Sequence, residues 1–365
     1  MKPTQLLNEL GQRIWLDNIT RELITSGTLR RYIHDFGVTG LTSNPTIFDH
    51  AVGETDAYDA AIRLNARRGI KGASLFLELA FDDLRNAADL FQPTFEASAG
   101  ADGWVSMEVS PLLARDTKKT VKQVAFLHDH ANRPNFFIKI PGTPEGVPAI
   151  EESIFAGIPI NVTLLFSREQ YLASANAYIR GIERRIEAGL SPRVPSVASL
   201  FVSRWDKAVA KKAPPELHDR LGIAVAVRTY RAYRELLDSP RWLRLAAAGA
   251  RTQRLLWAST GTKDPGASDV LYIESLVAPE TITTMPDATL KAFSEHGHVA
   301  HVLSRTDENA ETVLDRFEEV GIDVDALAEQ LQREGIETFV TSWNELMSRI
   351  DTKAHALEGA GSAHP

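Results

Sequence analysis

The sequence predicts a single closed barrel of eight parallel strands joined by helical crossovers, a (β/α)8 TIM-barrel fold, with additional helices after the second strand and at the C-terminus. Three observations lead there. Short apolar runs alternate with longer segments of helical period. Polar side chains fall late in many of these runs, on one face of each. No glycine-rich nucleotide turn follows any of them, as an open doubly wound sheet would require.

The strand candidates are RIWLD (13–17), VTGLTSN (38–44), WVSMEVS (104–110), FFIKI (136–140), IPINVTL (158–164), RVPSVAS (193–199), RLLWAS (254–259) and VLYIES (270–275). Helical stretches lie at 56–68, 73–91, 116–131, 146–156, 167–188 and 202–237, and beyond the eighth strand at 287–296, 307–319, 323–334 and 336–350. In the last of these, Ile336, Phe339, Val340, Trp343, Leu346, Met347 and Ile350 mark a buried face. With no linker to divide the chain, one barrel domain is expected over 1–351 and a flexible tail over 352–365.

Strand parity favours closure. Alternate residues of a strand point to opposite faces. Ser106, Glu108 and Ser110 therefore share one face and Val105, Met107 and Val109 the other, while Lys139 opposes Ile138 and Ile140. Asn161 pairs in this sense with Thr163, Thr42 with Asn44, and Trp15 with Asp17; Ser259 ends the seventh run. In a barrel these polar faces converge on the C-terminal mouth, where active sites of the fold lie.

The chain has 365 residues, 44% hydrophobic and 24% charged, which is ordinary globular usage and enough for a large core. A net charge of −8 argues against nucleic acid or an anionic membrane as partner. The absence of cysteine excludes disulfides, thiolate metal sites and a thiol nucleophile. Neither a signal-like N-terminus nor an apolar run of membrane-spanning length is present, so a cytoplasmic protein is expected.

Lys139 carries the most information. An ammonium in an apolar strand is costly unless paired or deprotonated, and burial favours the neutral amine that attack on a carbonyl requires. The alternative is a structural ion pair with a barrel carboxylate such as Glu108 or Asp17. Those two carboxylates could divide acid and base work or bind a metal. A metal would want further ligands at strand ends, and no candidate strand carries a histidine. His128 and His130, and His296, His298 and His301, read as helix-end or surface residues. No metal is expected.

GLTSNPTIF (40–48), FFIKIPGTPEG (136–146), INVTLLFS (160–167) and VPSVASLFVSRWD (194–206) resemble the transaldolases, most closely the bacterial branch with the S-N-P-T-I-F form of the first motif. The resemblance runs from about Asp17 to the helix after the eighth strand. It implies a barrel whose fourth strand bears a Schiff-base lysine, the place Lys139 holds in the strand count. It further implies Asp17 as acid/base on the donor's C4 hydroxyl, and Glu108 with Thr163 as holders of a proton-shuttling water. Asn44, Asn161 and Ser199 are implied as substrate contacts, and Arg204 with Ser259 as phosphate ligands. Where better-known branches carry a second arginine two residues after that serine, this chain has Gly261, and we assign the role to Lys263.

The implied reaction moves a dihydroxyacetone unit from a ketose phosphate donor to an aldose phosphate acceptor through a lysine imine, with no cofactor; a homodimer is also implied. Two competing readings remain: a lysine-dependent aldolase, and a non-catalytic sugar-phosphate-binding barrel in which Lys139 is only an ion-pair partner.

Overall fold

A computed structural model describes residues 2–304 and 309–361. Its sheet is a closed barrel of eight parallel strands in chain order: β1 (Arg13–Asp17), β2 (Val38–Thr42), β3 (Trp104–Glu108), β4 (Phe136–Pro141), β5 (Ile160–Leu165), β6 (Ser196–Phe201), β7 (Gln253–Ala258) and β8 (Ile282–Met285). β1 pairs with both β2 and β8, which closes the ring. Strands such as β4 and β5 are buried along their whole length, as expected where helices cover the outside and side chains fill the inside.

The register decides what meets at the mouth. Glu108 on β3 lies beside Lys139 on β4, and Lys139 beside Asn161 on β5. Below this polar layer the interior is packed with rings. Trp104 stacks on Phe137 with centroids 4.2 Å apart, and Trp15 lies 5.9 Å from the same ring. Gly40 makes room for them: a Cβ there would stand 2.6 Å from Trp15 Nε1 and 2.7 Å from the Trp104 carbonyl oxygen. The barrel therefore has an apolar floor and a polar rim.

The eighth strand differs from expectation. VLYIES (270–275) is not a strand: Leu271–Ser275 forms a short helix, and β8 is the following ITTM segment. The run at 270–273 is apolar because Val270, Tyr272 and Ile273 are buried, and Tyr272 donates from its hydroxyl to Asp206 (2.8 Å). The expected helix over 202–237 is interrupted around Pro214 and Pro215, giving helices Ser203–Val209 and Leu221–Asp238.

At the C-terminus the two expected helices are one, Val324–Gly361, running through Gly335. The tail expected from Thr352 is corrected by it, because this segment continues the helix. Lys353 pairs with Asp59 (2.8 Å) and donates to the carbonyls of Val52 and Thr55, while Ala354 is buried. Residues 362–365 lie outside the described residues.

The stretch 50–103 does more than connect strands. Helices Pro45–Glu54, Asp59–Arg67 and Gly72–Ala97 form the cradle for this last helix. Arg349 forks onto Asp49 (2.7 and 3.2 Å), Thr46 donates to Ser342 (2.8 Å), and Phe76 meets Trp343 edge-on. No helix among the described residues is long and apolar enough to cross a membrane.

The loop leaving β4 is tight. A Cβ on Gly146 would lie 1.9 Å from the carbonyl oxygen of Pro141, a backbone atom that cannot swing aside. Gly146→Ala is expected to destabilise the fold by about 3 kcal/mol, read as a lower midpoint of urea unfolding at unchanged m-value.

Candidate active site

The mouth of the barrel holds a cavity lined by Asp17, Thr42, Asn44, Lys139, Asn161, Thr163, Ser199, Phe201, Arg204, Ser259, Thr284 and Phe339, with Leu256 and Ala258. Parity places most of them. Lys139 points inward because its neighbours Ile138 and Ile140 face the helices, and its side chain is 7% exposed. Its Nζ donates to the carbonyl oxygen of Ser43 (3.1 Å) and lies 3.4 Å from Glu108 Oε2. Ser43 is itself fixed, its hydroxyl donating to the Ser106 carbonyl (2.8 Å). The amine is thus tethered on the cavity side, away from the outer helices.

Glu108 is not part of the cavity wall; it stands with Lys139. Burial pushes its carboxyl above the usual range, against the pull of the Lys139 and Arg204 charges. Burial likewise pushes Asp17 up, opposed by Lys139, then Lys263 and Arg204. Two carboxyls near one amine, both inclined to hold a proton, form a set in which protons can be exchanged. Glu108 Oε1 and the hydroxyl of Thr163 are buried without a hydrogen-bond partner among the described residues, and Glu108 Oε2 has only the long contact to Lys139. Buried polar atoms are seldom left so, and such atoms cluster where chemistry is done.

The amide residues divide their bonding. Asn44 caps the helix Pro45–Glu54, its Oδ1 accepting from the Ile47 amide (3.1 Å), so its Nδ2 is the end left to the cavity. Asn161 is held on both sides: Nδ2 donates to Ser106 Oγ (3.1 Å), and Oδ1 accepts from Ser199 Oγ (2.8 Å). Ser199 therefore lines the cavity while orienting Asn161.

Arg204, at the start of the helix after β6, lies over the rings of Phe201 (5.0 Å) and Phe339 (5.8 Å). Burial draws its pKa down, and the carboxylates of Glu108, Asp17 and Glu334 oppose that shift. Ser259 is a non-glycine residue at φ 56°, and its hydroxyl is 3.0 Å from that of Ser203.

Lys263 is the exception. It does not line the mouth cavity but a neighbouring one of about 310 Å³, with Asp206, Lys207, His218, Asp219 and Asp264. Its charge still reaches Asp17. Trp15 and Trp257 are fully buried core residues and do not line the mouth cavity.

The sequence motifs did not single out Phe201, Phe339 or Thr284. Phe201 is two residues beyond Ser199 on the same inward face, a signal that parity alone offers. Phe339 was legible only as part of a buried helix face, and Thr284 sits on the strand that was misplaced. Among the described residues no three His, Asp or Glu side chains gather as metal ligands. His296 instead pairs with Asp269 (2.9 Å), and His130 packs against Phe81.

The lysine on β4, facing carboxyls on β1 and β3, can be set beside known proteins. Residues 14–350 match the model of the family described as transaldolase/fructose-6-phosphate aldolase. A transaldolase of Thermobifida fusca is 45% identical over 357 residues, covering 95% of this chain and 97% of that protein. One from Parafrankia sp. is 43% identical over 358 residues, covering 96% and 97%. Transaldolase 2 of Nostoc punctiforme is 40% identical over 370 residues, again 96% and 97%. A match that begins inside β1 and ends in the last helix takes in the barrel and its extra helices together, and on it the chain belongs to the transaldolase/fructose-6-phosphate aldolase family.

Proposed function

We propose that the chain is a transaldolase, transferring a dihydroxyacetone unit between sugar phosphates through an imine on Lys139. The observation that carries the reading is the Lys139 amine, enclosed in the barrel mouth between the Ser43 carbonyl and Glu108 and exposed to the same cavity as Asp17.

Lys139, as the free amine, attacks the C2 carbonyl of fructose 6-phosphate or sedoheptulose 7-phosphate. Glu108, whose carboxyl burial inclines toward the protonated form, takes up and returns the protons of water loss. A water bridging Glu108 and Thr163 fits this role, since it would satisfy buried oxygens on both. Asp17 then removes the C4 hydroxyl proton, the C3–C4 bond breaks, and its electrons enter the imine to give an enamine. An aldose phosphate takes up the three-carbon unit by the reverse steps. Asn44 and Asn161 bind sugar hydroxyls, with Ser199 holding Asn161. Arg204 binds the phosphate with Ser259, and Lys263 acts on it from the adjoining cavity. The imine is the electron sink, so the scheme calls for no metal or organic cofactor. With this reading goes a cytoplasmic place among sugar phosphates, as a homodimer.

Borohydride reduction in the presence of fructose 6-phosphate tests it. The expected result is a covalent mass gain confined to Lys139 and turnover that depends on an acceptor. No adduct would leave a binding barrel; acceptor-independent release of dihydroxyacetone would make the chain an aldolase.

A further inference from the structure

The last helix does more at the mouth than cover it. Gln332 is 7% exposed, and its Nε2 donates to two main-chain carbonyls, Gly142 (3.1 Å) and Leu164 (2.9 Å). Gly142 directly follows β4, the strand of Lys139, and its own amide donates to the Thr163 carbonyl (2.8 Å). Leu164 is the residue after Thr163. It is a leucine at φ 57°, in the left-handed region, at the point where the pairing of β5 with β6 shifts register between Val162 and Leu165. A β-branched or bulky side chain seldom adopts that conformation unless surrounding contacts hold it there. A bulge of this kind re-aims the neighbouring side chain.

The helix comes close enough to act because Gly335, one turn on, has no side chain. A Cβ there would stand 2.9 Å from Leu164 Cδ2 and 3.3 Å from Arg204 Nη1. Phe339, a turn further, reaches the cavity wall.

We propose that Gln332 is a positioning residue for the imine-forming steps. By tying the Gly142 and Leu164 carbonyls together, it locks the β4 and β5 strand ends in register and holds the left-handed bulge that aims the Thr163 hydroxyl toward Lys139 and Glu108. The inference rests on the reading of Lys139 and Thr163 given above. It predicts an effect on the rate of the chemical step, with little effect on substrate binding.

The test uses the full chain with two substitutions. Gln332→Met matches the length of the side chain and cannot donate. Turnover and the single-turnover rate of borohydride trapping at Lys139 are expected to fall roughly 10- to 100-fold, with KM for fructose 6-phosphate changed by less than about twofold. Gln332→Glu turns a carboxylate onto the two carbonyls at neutral pH and should show at least the same loss. On acidification its protonated acid can donate to one carbonyl, so its rate relative to Gln332→Met should recover several-fold.

Taking that ratio at each pH cancels the titration of Glu145, Glu169, Asp325 and Glu329, which line the same cleft with Arg333. If the methionine variant does not fold, the ratio of Gln332→Glu to the unmodified chain is taken at each pH instead, and the same recovery on acidification is expected. Trapping rates equal to the unmodified chain, a raised KM at unchanged kcat, or no recovery on acidification would each overturn the proposal. Failure of the unmodified chain to trap at all would instead refute the imine reading itself.

Discussion

Replacing Lys139 with methionine is expected to lower turnover on the order of 10⁵-fold, the scale seen when a covalent nucleophile is removed. The side chain keeps nearly the same length and joins an apolar strand, so the barrel should fold. What disappears is the amine that, in the proposed reaction, bonds to C2 of the ketose. The loss should be complete in the trapping experiment: no substrate mass on the protein at any borohydride concentration. Stability should become dependent on pH. The buried amine and Glu108 lie 3.4 Å apart, and removing one member of a buried pair leaves the other charge without its partner. Glu108, already inclined to protonate through burial, can meet that loss by taking a proton, so the variant should lose stability as pH rises through the carboxyl's titration. The sign follows from the direction of the shift. A carboxyl raised in the folded state favours folding at low pH, and that advantage fades as the folded form ionises. A variant that still traps substrate, or turns over within tenfold of the unmodified chain, would overturn the assignment of Lys139.

Asp17→Asn is expected to lower turnover by roughly 10²- to 10⁴-fold, the usual worth of a positioned acid or base. Its signature differs from that of Lys139. The imine still forms, so borohydride should still mark Lys139, but carbon–carbon cleavage stalls. Mass spectrometry should then find the whole six-carbon donor on the lysine instead of the three-carbon fragment. The pH profile gives a second reading. Asp17 must be ionised to take the C4 proton, and burial raises its pKa. The acidic limb of kcat/KM should therefore lie above the ordinary carboxylate range and vanish in the asparagine variant. A three-carbon adduct on Lys139 in that variant would show that another group breaks the bond.

The inward half of most strands was legible because a barrel makes strand parity a global rule: one face of every strand meets at the same place. Lys139, Asn161 and Thr163 were readable for that reason. The eighth strand was not. VLYIES has the stronger apolar run, but it forms a short helix with Val270, Tyr272 and Ile273 buried, whereas ITTM owes its place in the sheet to partners on β1 and β7. Local pattern cannot see such partners. Lys263 was assigned by its distance along the chain from Ser259, and loop geometry turns it into the adjoining cavity. Gln332 sits in a polar stretch, EQLQREGIE, and its burial depends on carbonyls 190 and 168 residues away. Nothing in its neighbourhood marks it as different from the exposed glutamines and glutamates beside it.

The order of synthesis gives the last helix another meaning. All eight strands, the amine and both carboxyls are made before residue 324, and a chain emerging from the ribosome tends to fold from its N-terminus first. Yet Phe339 reaches the cavity only when the final segment docks onto helices encoded near the start, through Asp49 and Asp59. A barrel without this helix would thus leave Lys139 in an unfinished cleft, and only the docking of a late segment onto an early one finishes it.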